Sequence, residues 1–411
     1  MDGEGHSFKL LKLSNPVFAF LELTYACEGR CPGCPALAAA DRTTVKSAAQ
    51  WAPIIQDLSS IMEEVRLTGG EPTLHPDFVD ILESLKEAEL PFRIFTNGLW
   101  PDSGKIFKAL KKNRFFRGFH FSLHGSTALN HEFFTGLTSF NETIANIESA
   151  VRKGFPVFTS TVLGEFNRAD IPTLMTLVAR MGSRKHEFRR FIGPFRRGIS
   201  IFREHIKPLI EEIDQIPPRI FSYSVGECFP RCFSSIALPC LAGMTHITLT
   251  PSGSIKACPF SNEILGTWEK GIIKGKRRLH AWTSDFFEGC LSCDEIGACM
   301  GGCRVMRKEF GFKRDPLMEE PLQSSLQPVS APQEKPVVLN GRLKFAGAVR
   351  KEKFGFILII KGEVMPVTEK GFKLITLCDG TREIGEIKAL VGEKASNYII
   401  SLYMRGYLDI V

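Results

Sequence analysis

The sequence predicts an α/β protein in which a parallel sheet is followed by a cysteine-rich segment and a small C-terminal domain. Three observations lead to this class. Apolar β-type runs alternate with amphipathic helical stretches from Val17 to about Pro194, eight of the twelve cysteines lie between Cys228 and Cys303, and a proline-rich stretch follows them. With 411 residues, the chain is long enough for two or three domains.

The first half alternates strands with helices. Strands are predicted at Val17–Thr24, Glu64–Thr68, Phe92–Thr96, Gly118–Leu123, Phe155–Leu163 and Phe188–Ile192. Helices are predicted at Ser47–Ile61, Pro76–Ala88, Lys105–Lys112, Phe140–Lys153 and Arg168–Met181, and a further helix, Ile199–Ile216, contains Pro208. Alternating βα units of this size predict a parallel sheet, and six such units are too few for a closed eight-stranded barrel.

Charge and composition exclude several classes of protein. The net charge of +7 makes the chain only mildly basic. Its Lys and Arg residues are scattered, whereas a nucleic-acid-binding protein concentrates them in a patch. No apolar run reaches the ~18 residues of a membrane span, and Met1 to Lys9 does not resemble a signal peptide. We therefore expect a cytoplasmic protein whose cysteines bind metal instead of forming disulfides.

One short stretch carries the strongest chemical signal. Cys27, Cys31 and Cys34 have a C-x3-C-x2-C spacing directly after the first predicted strand. Three thiolates on one tight loop can hold three irons of a 4Fe-4S cluster, which normally takes four cysteines, so the fourth iron would be open to a small ligand. The alternative is a zinc loop, which usually needs a fourth Cys or His nearby. No fourth cysteine follows in the next stretch, and this favours the open cluster.

That spacing resembles the cluster motif of the radical S-adenosylmethionine (SAM) enzymes. The segment Leu67-Thr-Gly-Gly-Glu-Pro72, which alone would fit a strand-end turn, is similar to the Gly-Gly-Glu-Pro segment of the same superfamily. The resemblance implies a partial (β/α)6 TIM-like barrel with its active site at the carboxyl ends of the strands. It also implies that SAM chelates the open iron and contacts Gly69, Gly70, Glu71 and Pro72, with Glu71 accepting a hydrogen bond from the methionine ammonium.

Later strand ends add residues to the expected SAM site. Asn97 follows the third strand, and Ser122 lies in a Ser-Leu-His-Gly segment that resembles the Ser-Leu-Asp-Gly of relatives, so both are expected to contact SAM. His124 replaces the Asp of that segment, as either a structural or a catalytic residue. Thr135 stands where relatives carry an arginine that clamps the SAM carboxylate. Gly33 stands where most relatives have an aromatic residue, and its loss is expected to open the loop around the adenine.

Eight further cysteines follow the predicted barrel. They are Cys228, Cys232, Cys240, Cys258, Cys290, Cys293, Cys299 and Cys303. A hairpin with a Pro-Ser-Gly-Ser turn is predicted between Cys240 and Cys258, and it would bring these two cysteines to one site. Zinc knuckles are one interpretation. Eight thiolates are also enough for two 4Fe-4S clusters.

This segment resembles the SPASM domain, the auxiliary-cluster domain of many peptide-modifying radical SAM enzymes. The resemblance implies one or two auxiliary 4Fe-4S clusters, one on Cys240, Cys258, Cys303 and an upstream cysteine, the other on Cys290, Cys293, Cys299 and one more. The family usually takes that last ligand from a cysteine shortly after Cys303, but the next cysteine here is Cys378. We therefore expect Cys228 and Cys232 to supply one ligand to each cluster. One complete and one incompletely ligated cluster is the alternative.

The C-terminal segment, about Leu339 to Val411, is the size of a small domain. Before it, Asp315 to Val337 carries five prolines and is predicted to be a semi-extended linker. The segment itself is predicted to hold a strand, Phe354–Ile360, turned at Lys361–Glu363, helices at Glu369–Cys378, Glu383–Val391 and Lys394–Arg405, and a hydrophobic end that pairs back. The predicted core is Leu374, Leu377, Ile384, Ile387, Leu390, Ile399, Leu402 and Met404, and Cys378 is expected to be buried.

Three features of this segment resemble the winged-helix peptide chaperone of pyrroloquinoline-quinone biosynthesis (PqqD-like). These are the Gly-containing strand start, the Leu-Cys-Asp-Gly-Thr junction and the Met-Arg-Gly-Tyr-Leu close. The junction is predicted to be a helix–turn–helix corner in which Thr381 caps the next helix. The resemblance implies that a leader peptide binds as an added strand on a sheet edge. DNA binding and a merely structural cap are the alternatives, but the last helix has too few Arg and Lys residues to favour DNA binding.

Together the resemblances imply a radical SAM peptide maturase. Its domains would be residues 1–215 (partial barrel), 216–314 (SPASM-like), 315–338 (linker) and 339–411 (PqqD-like, winged-helix). It would cleave SAM to a 5′-deoxyadenosyl radical and oxidatively modify a ribosomally made precursor peptide, with electrons from a low-potential donor such as ferredoxin or flavodoxin. No nucleic acid or membrane partner is expected. The alternatives are a maturase of a small cofactor (modified haem or metal-pterin) and a non-enzymatic iron–sulfur or zinc protein that binds peptides.

Overall fold

The computed structural model describes residues 13–39, 41, 43–201, 203–214, 223–226, 228–230, 232–233, 240–287, 289–293, 296–318, 341–360, 363–404 and 407–411. By their contacts these residues divide into two compact units, one of residues 15–318 and one of residues 341–411 with residues 13–14. No helix among them is both long enough and apolar enough to cross a membrane.

The first unit is an α/β structure. Its strands are β1 (Phe18–Thr24), β2 (Glu64–Gly69), β3 (Phe92–Thr96), β4 (Phe116–Ser122), β5 (Val157–Leu163), β6 (His186–Arg190), β7 (Tyr223–Val225), β8 (His246–Leu249), β9 (Ser254–Lys256), β10 (Gly266–Glu269) and β11 (Ile272–Lys274). Its helices are α1 (Pro35–Ala38), α2 (Ala48–Ser59), α3 (Phe78–Glu87), α4 (Ser103–Leu110), α5 (Ala128–Thr135), α6 (Phe140–Arg152), α7 (Ile171–Arg180), α8 (Arg203–Asp214), α9 (Lys276–Thr283), α10 (Ile296–Cys299) and α11 (Arg304–Lys308).

All of these strands belong to one sheet, in the order β11-β10-β9-β8-β1-β2-β3-β4-β5-β6-β7. Strands β1 to β7 pair in parallel, and β8 is parallel to β1. The predicted parallel sheet and its alternation with helices are confirmed. The observed β6 starts two residues before the predicted strand. Helix α5 was not predicted because the four apolar residues among its eight do not form the repeating stripe of an amphipathic helix.

The centre of the sheet is covered on both faces. Every residue of β1 is buried. Ala19, Leu21 and Leu23 belong to the same hydrophobic cluster as residues of α2, including Trp51. Side chains alternate along a strand, so Glu22 and Thr24 lie on the opposite face, where they are also buried. One face of β1 is therefore the apolar helix-covered core, and the other carries polar groups towards the end of the strand where the cysteine loop begins.

The predicted hairpin between Cys240 and Cys258 is present as β8 and β9. The sequence did not predict its position, which is directly beside β1. Phe18 lies opposite His246 in this parallel pair, and the N–H groups of Val17 and Phe18 both donate to the Thr245 carbonyl oxygen. The start of the cysteine-rich segment is therefore part of the same sheet as the predicted barrel strands. Asp315 is also buried in this unit, so packed structure extends into the predicted linker, the remainder of which lies outside the described residues from 319 on.

The second unit contains two small sheets and two helical segments. Its strands are β12 (Arg342–Phe345), β13 (Ala348–Glu352), β14 (Gly355–Ile360), β15 (Glu363–Val367), β16 (Asp379–Glu383) and β17 (Leu408–Ile410), and its helices are α12 (Glu369–Ile375) and α13 (Ile384–Met404). The sheets have the orders β16-β12-β17 and β13-β14-β15. Gly392, with a φ of 77°, interrupts α13 and separates the two helices predicted there. The predicted return of the chain end is confirmed by the pairing of β17 with β12.

Two predictions for the second unit are wrong. The run after Leu377 contains strand β16 instead of a simple helix–turn–helix corner, and the Thr381 hydroxyl donates to the Asp379 carboxylate instead of capping a helix. The strand forms because its backbone pairs with β12, a partner that the local sequence cannot reveal. Leu390 is 66% exposed and is not a core residue. Cys378 is buried as predicted, and burial raises the pKa of its thiol to about 11. The side chain of Met404 and the predicted turn at 361–362 lie outside the described residues.

Candidate functional site

The cysteine loop begins directly after β1, at the carboxyl end of the parallel strands. Cys27, Cys31 and Cys34 are each partly buried, and none of them is in a disulfide. A methyl group placed on Gly29 would lie 3.6 Å from the Sγ atoms of both Cys27 and Cys31, so these two thiols face one small space. Burial raises the pKa of Cys27 to about 11 and that of Cys31 to about 12, and the neighbouring thiols add to both shifts. A metal that binds here must displace these protons.

The segment after β2 fixes this loop through its backbone. The Gly70 N–H donates to the Thr24 carbonyl oxygen at 2.7 Å, and the Glu71 N–H donates to that of Ala26 at 2.8 Å. A Cβ atom at Gly69 would lie 2.1 Å from the Thr24 oxygen, and one at Gly70 would lie 2.2 Å from the Ala26 oxygen. Glycine is therefore required at positions 69 and 70 because two backbone segments approach each other closely there. This requirement holds whether or not a ligand also approaches.

The Glu71 carboxylate joins the ends of β2 and β3. It is fully buried and accepts hydrogen bonds from the Thr73 N–H and hydroxyl, from the Thr96 hydroxyl and from the Asn97 N–H. The Thr96 oxygen in turn accepts from the indole N–H of Trp100 at 2.7 Å, which leaves its own proton for Glu71. Burial raises the pKa of Glu71 to about 7 against the effect of these donors. The expected hydrogen bond to the SAM ammonium would have to displace one of them.

Other predicted contact residues lie at the same edge of the sheet. The Asn97 side-chain nitrogen is 3.7 Å from the Cys27 Sγ atom. Pro72 is buried and begins a single 3-10 turn after the glycines. Ser122 is the last residue of β4 and is partly buried opposite Ser160 of β5. The structure therefore brings Asn97 close to the cysteine loop and places Ser122 at the end of the next strand.

Thr135 has a structural role that the sequence did not predict. Its hydroxyl donates to the Leu137 carbonyl oxygen at 3.1 Å and is turned away from solvent. Its own carbonyl oxygen accepts a 2.7 Å hydrogen bond from the N–H of Arg30, which lies between the first two cysteines of the loop. Helix α5 ends there in a left-handed Gly136 with a φ of 66°. The position of the family's arginine is thus occupied by a group that holds the cysteine loop through its backbone.

His124 is a structural residue. It is buried, and its Nδ1 atom accepts a hydrogen bond from the Val162 N–H at 3.2 Å. Its backbone N–H donates to Nδ1 of His131 at 3.1 Å. Burial lowers the pKa of His124 well below its usual value, so the ring is neutral at physiological pH. These contacts favour the structural alternative over a catalytic one.

The expectation of an opened loop at Gly33 is wrong. Gly33 has a φ of 69°, and a Cβ atom there would lie 2.7 Å from the Ile192 carbonyl oxygen and 2.8 Å from the Phe191 ring. The segment that follows β6 therefore fills the space in which a side chain at position 33 would lie. The Phe191 ring, from another part of the chain, lies in this space beside the loop.

The eight later cysteines fall into two groups in space. The first thiol set is Cys228, Cys240, Cys258 and Cys303, and the second thiol set is Cys232, Cys290, Cys293 and Cys299. In the first set, Cys228 hydrogen-bonds with Cys240 and Cys303, and Cys258 interacts electrostatically with the same two. In the second set, Cys290 interacts electrostatically with the other three. The structure thus separates Cys228 from Cys232 and gives one to each set.

Among the residues that the structure describes, no group of three or more His, Cys, Asp or Glu side chains is arranged to hold a metal ion.

Two buried ion pairs connect the first thiol set with strands β1 and β6. Arg190 of β6 lies 2.7 Å from an Asp315 oxygen and also donates to the Cys228 carbonyl oxygen, while Asp315 accepts from the Cys303 N–H at 3.1 Å. Lys256 of β9, two residues before Cys258, lies 3.0 Å from Glu22 of β1. A buried pair of charges contributes little net stability, but removal of one partner is costly. No local pattern in the sequence identifies these pairs, because their partners are more than a hundred residues apart.

Comparison with known proteins identifies the first part of the chain. Residues 21–178, which include the cysteine loop and the Gly-Gly-Glu segment, match the family model of the Radical SAM superfamily. Residues 21–178 are therefore similar to a radical SAM domain. Such domains use a 4Fe-4S cluster and SAM, and three partly buried thiols that interact electrostatically at the carboxyl end of β1 fit the cluster.

Some known proteins are similar to this chain over a longer stretch. The PqqA peptide cyclase of Methylobacterium nodulans is 24% identical over 314 residues, which cover 71% of this chain and 82% of the relative. The mycofactocin maturase MftC of Mycobacterium tuberculosis is 25% identical over 343 residues, which cover 78% and 86%. Streptococcus suis SuiB bound to its precursor peptide SuiA has a TM-score of 0.62 at 18% identity, over 75% of this chain and 77% of that one. The SAM-bound anSMEcpe has a TM-score of 0.56 at 14% identity, over 75% and 93%. The two structures show a shared fold.

Substitution of Glu71 tests the role of its buried carboxyl group. The folded state holds the Glu71 proton up to about pH 7, whereas the unfolded chain releases it near 4.5. The stability that this group contributes is therefore greatest at low pH. It is lost as the pH rises from 4.5 to about 7, and the total loss is about 3 kcal/mol. We expect the free energy of unfolding of the wild type, relative to Glu71→Gln, to fall between pH 5 and 7.5. Urea unfolding measures it.

The matched control is Glu28→Gln, which changes an exposed glutamate in the cysteine loop. The difference in free energy of unfolding between the wild type and Glu28→Gln should not change with pH. A difference between wild type and Glu71→Gln that stays constant from pH 5 to 7.5 would mean that Glu71 is ionised throughout.

Proposed function

We propose that this protein is a radical SAM enzyme that oxidatively modifies a ribosomally made precursor peptide. The observation that carries the proposal is the cysteine loop at the carboxyl end of β1, held in place by the Gly-Gly-Glu segment of a radical SAM domain. The substrate class is supported by the relatives, since PqqA cyclase and SuiB are named for the peptides on which they act or which they bind.

The residues of the SAM site have separate tasks in this proposal. Cys27, Cys31 and Cys34 hold the 4Fe-4S cluster, which with SAM supplies a 5′-deoxyadenosyl radical that removes a hydrogen atom from the substrate. Gly69, Gly70 and Pro72 offer their backbone to SAM, and Asn97 and Ser122 offer polar side chains. Glu71 is a positioning residue, because its carboxyl group is already occupied by protein donors.

The two thiol sets would carry the auxiliary clusters. Each set has four cysteines, the number that a 4Fe-4S cluster normally takes. Cys228 completes the first set and Cys232 the second, so neither cluster requires a cysteine after Cys303. Auxiliary clusters would accept the electron that remains on the substrate radical, and this makes the overall change to the peptide an oxidation, such as a C–C or C–S cross-link.

The second unit would bind the leader part of the peptide. We assign this role to the PqqD-like fold and to the outer edge of β13, a strand paired on one side only. Val349 on this strand is 41% exposed, and the nearby Lys351 is exposed as well. The other edge of the same sheet, β15, contains Pro366, which cannot donate a hydrogen bond to an added strand. A peptide strand with acidic residues fits the β13 edge, and tethering raises its local concentration at the active site.

The electron donor is proposed from charge alone. The chain carries a net charge of +7, which suits an acidic low-potential protein such as a ferredoxin or a flavodoxin.

A loss-of-cluster variant tests the activity. The wild type, given SAM, a reductant and the precursor peptide encoded beside its gene, should produce 5′-deoxyadenosine and a peptide two mass units lighter. The triple variant Cys27→Ala/Cys31→Ala/Cys34→Ala should produce neither, because the open cluster is absent. Chromatography and mass spectrometry measure both products. If the triple variant still cleaves SAM, the site assignment is wrong. If the wild type cleaves SAM but modifies no such peptide, a small-molecule substrate is favoured.

Single substitutions test the ligands of the auxiliary clusters. We expect Cys228→Ala and Cys240→Ala to remove the same electron paramagnetic resonance signal, and Cys232→Ala and Cys290→Ala to remove the other. Cys378→Ala, which changes a buried cysteine of the second unit, should leave both signals intact. Identical spectra for Cys228→Ala and Cys232→Ala would contradict the division into two sets.

Paired surface substitutions test the leader-binding edge. Val349→Asp in the full chain should weaken binding of a labelled leader peptide at least tenfold, because it places a negative charge on the proposed edge. Ile410→Asp is the matched control, since Ile410 is 42% exposed on an edge strand of the other small sheet. Fluorescence anisotropy measures the affinities. If both variants weaken leader-peptide binding equally, or if neither weakens it, β13 is not the binding edge.

A further inference from the structure

Arg304 is a buried cation beside the first thiol set. It follows Cys303 directly, begins α11 and is only 2% exposed. Its Nε atom donates to the Thr283 carbonyl oxygen at 3.1 Å, and its Nη1 atom lies 3.3 Å from the Cys240 carbonyl oxygen. The guanidinium therefore contacts the backbone of one cysteine of the set and is adjacent in sequence to another.

The contacts of Arg304 do not neutralise its charge. Within the described part of the chain, no carboxylate forms an ion pair with it, and its buried Nη2 atom has no hydrogen-bond partner. The guanidinium lies over the rings of Trp282 and Phe286, at 5.7 and 5.1 Å from their centroids. Carbonyl dipoles and ring faces compensate only part of the cost of burying a full charge.

The other cations of this region differ from Arg304 in this respect. Lys256 is paired with Glu22, and Arg190 is paired with Asp315. Each of these pairs is neutral as a whole, so Arg304 leaves one net positive charge in the buried surroundings of the first thiol set. Such a charge requires a negative group nearby, and four cysteine thiolates around an iron–sulfur cluster are negative overall.

We propose that Arg304 is the counter-ion of the auxiliary cluster on the first thiol set and raises its reduction potential. The proposal rests on the auxiliary clusters of the proposed function. Uptake of one electron makes the cluster one unit more negative, and a fixed, desolvated guanidinium stabilises that form more than the oxidised one. The first thiol set then holds the auxiliary cluster that more readily accepts the electron released by the substrate radical.

Arg304→Gln removes the charge and keeps one hydrogen bond, because the glutamine amide nitrogen takes the place of Nε and can still donate to the Thr283 carbonyl oxygen. The matched control is Arg307→Gln, which removes the same charge from the same helix one turn later. Arg307 is 40% exposed and is paired with Asp285, so water screens its charge. Arg304→Lys keeps the charge and loses the planar group.

The measurement is a redox titration followed by electron paramagnetic resonance. The variants are made in the Cys27→Ala/Cys31→Ala/Cys34→Ala background, so that only auxiliary clusters contribute, and the signal that Cys240→Ala removes is assigned to the first thiol set. For Arg304→Gln we expect at least a tenfold fall in the reduced-to-oxidised ratio of that cluster at a fixed potential, which is about 59 mV for one electron. Arg307→Gln and Arg304→Lys should remain close to the background protein.

Iron and sulfide contents separate the possible failures. If Arg304→Gln binds full clusters with an unchanged potential, the counter-ion proposal is wrong and the proposed function stands. If Arg307→Gln lowers the reduced-to-oxidised ratio as much as Arg304→Gln does, the counter-ion proposal is also wrong, because a general loss of positive charge would then explain the result. If the background protein binds no auxiliary cluster, both the counter-ion proposal and the auxiliary clusters of the proposed function fail.

Discussion

The backbone contact between the end of β1 and the segment after β2 determines the geometry of the candidate site. Two N–H groups, of Gly70 and Glu71, bind the carbonyl oxygens of Thr24 and Ala26 just before the first cysteine. This contact requires glycines, because a side chain at position 69 or 70 would occupy the space of the opposing carbonyl oxygen. The buried Glu71 carboxyl group then connects the same segment to β3. A loop that would otherwise be free is thus held at the point where three strands end.

A second constraint relates the cysteine-rich segment to the same loop. Strand β8 pairs with β1, and β9 carries Lys256, which is paired with the buried Glu22. The first thiol set is therefore attached to the sheet that also carries Cys27, Cys31 and Cys34. A rigid sheet keeps the distance between two groups of thiols constant, which an independent domain on a flexible linker would not do. Arg190 and Asp315 provide a similar connection from β6.

Much of the fold could be predicted because it follows from local periodicity. Alternating apolar runs and amphipathic stretches located six strands and five helices, since burial of a sheet face and of a helix stripe leaves different repeats in the sequence. Helix α5 and strand β16 were missed because neither has a strong repeat of its own. Helix α5 is defined by its caps, at Thr127 and Gly136, and β16 by its pairing with β12. The corner at Thr381 was predicted wrongly for the same reason.

The sequence by itself determined the chemistry of this protein, and the tertiary structure decided how the chemical groups are combined. Three cysteines within eight residues must lie on one loop, so their spacing alone indicates an open cluster. The division of Cys228 and Cys232 between two thiol sets, the Phe191 ring in the space beside Gly33 and the unpaired charge of Arg304 all depend on contacts between distant segments. Such contacts leave no periodic or spacing signal, because the chain length between the partners does not determine how they meet in space.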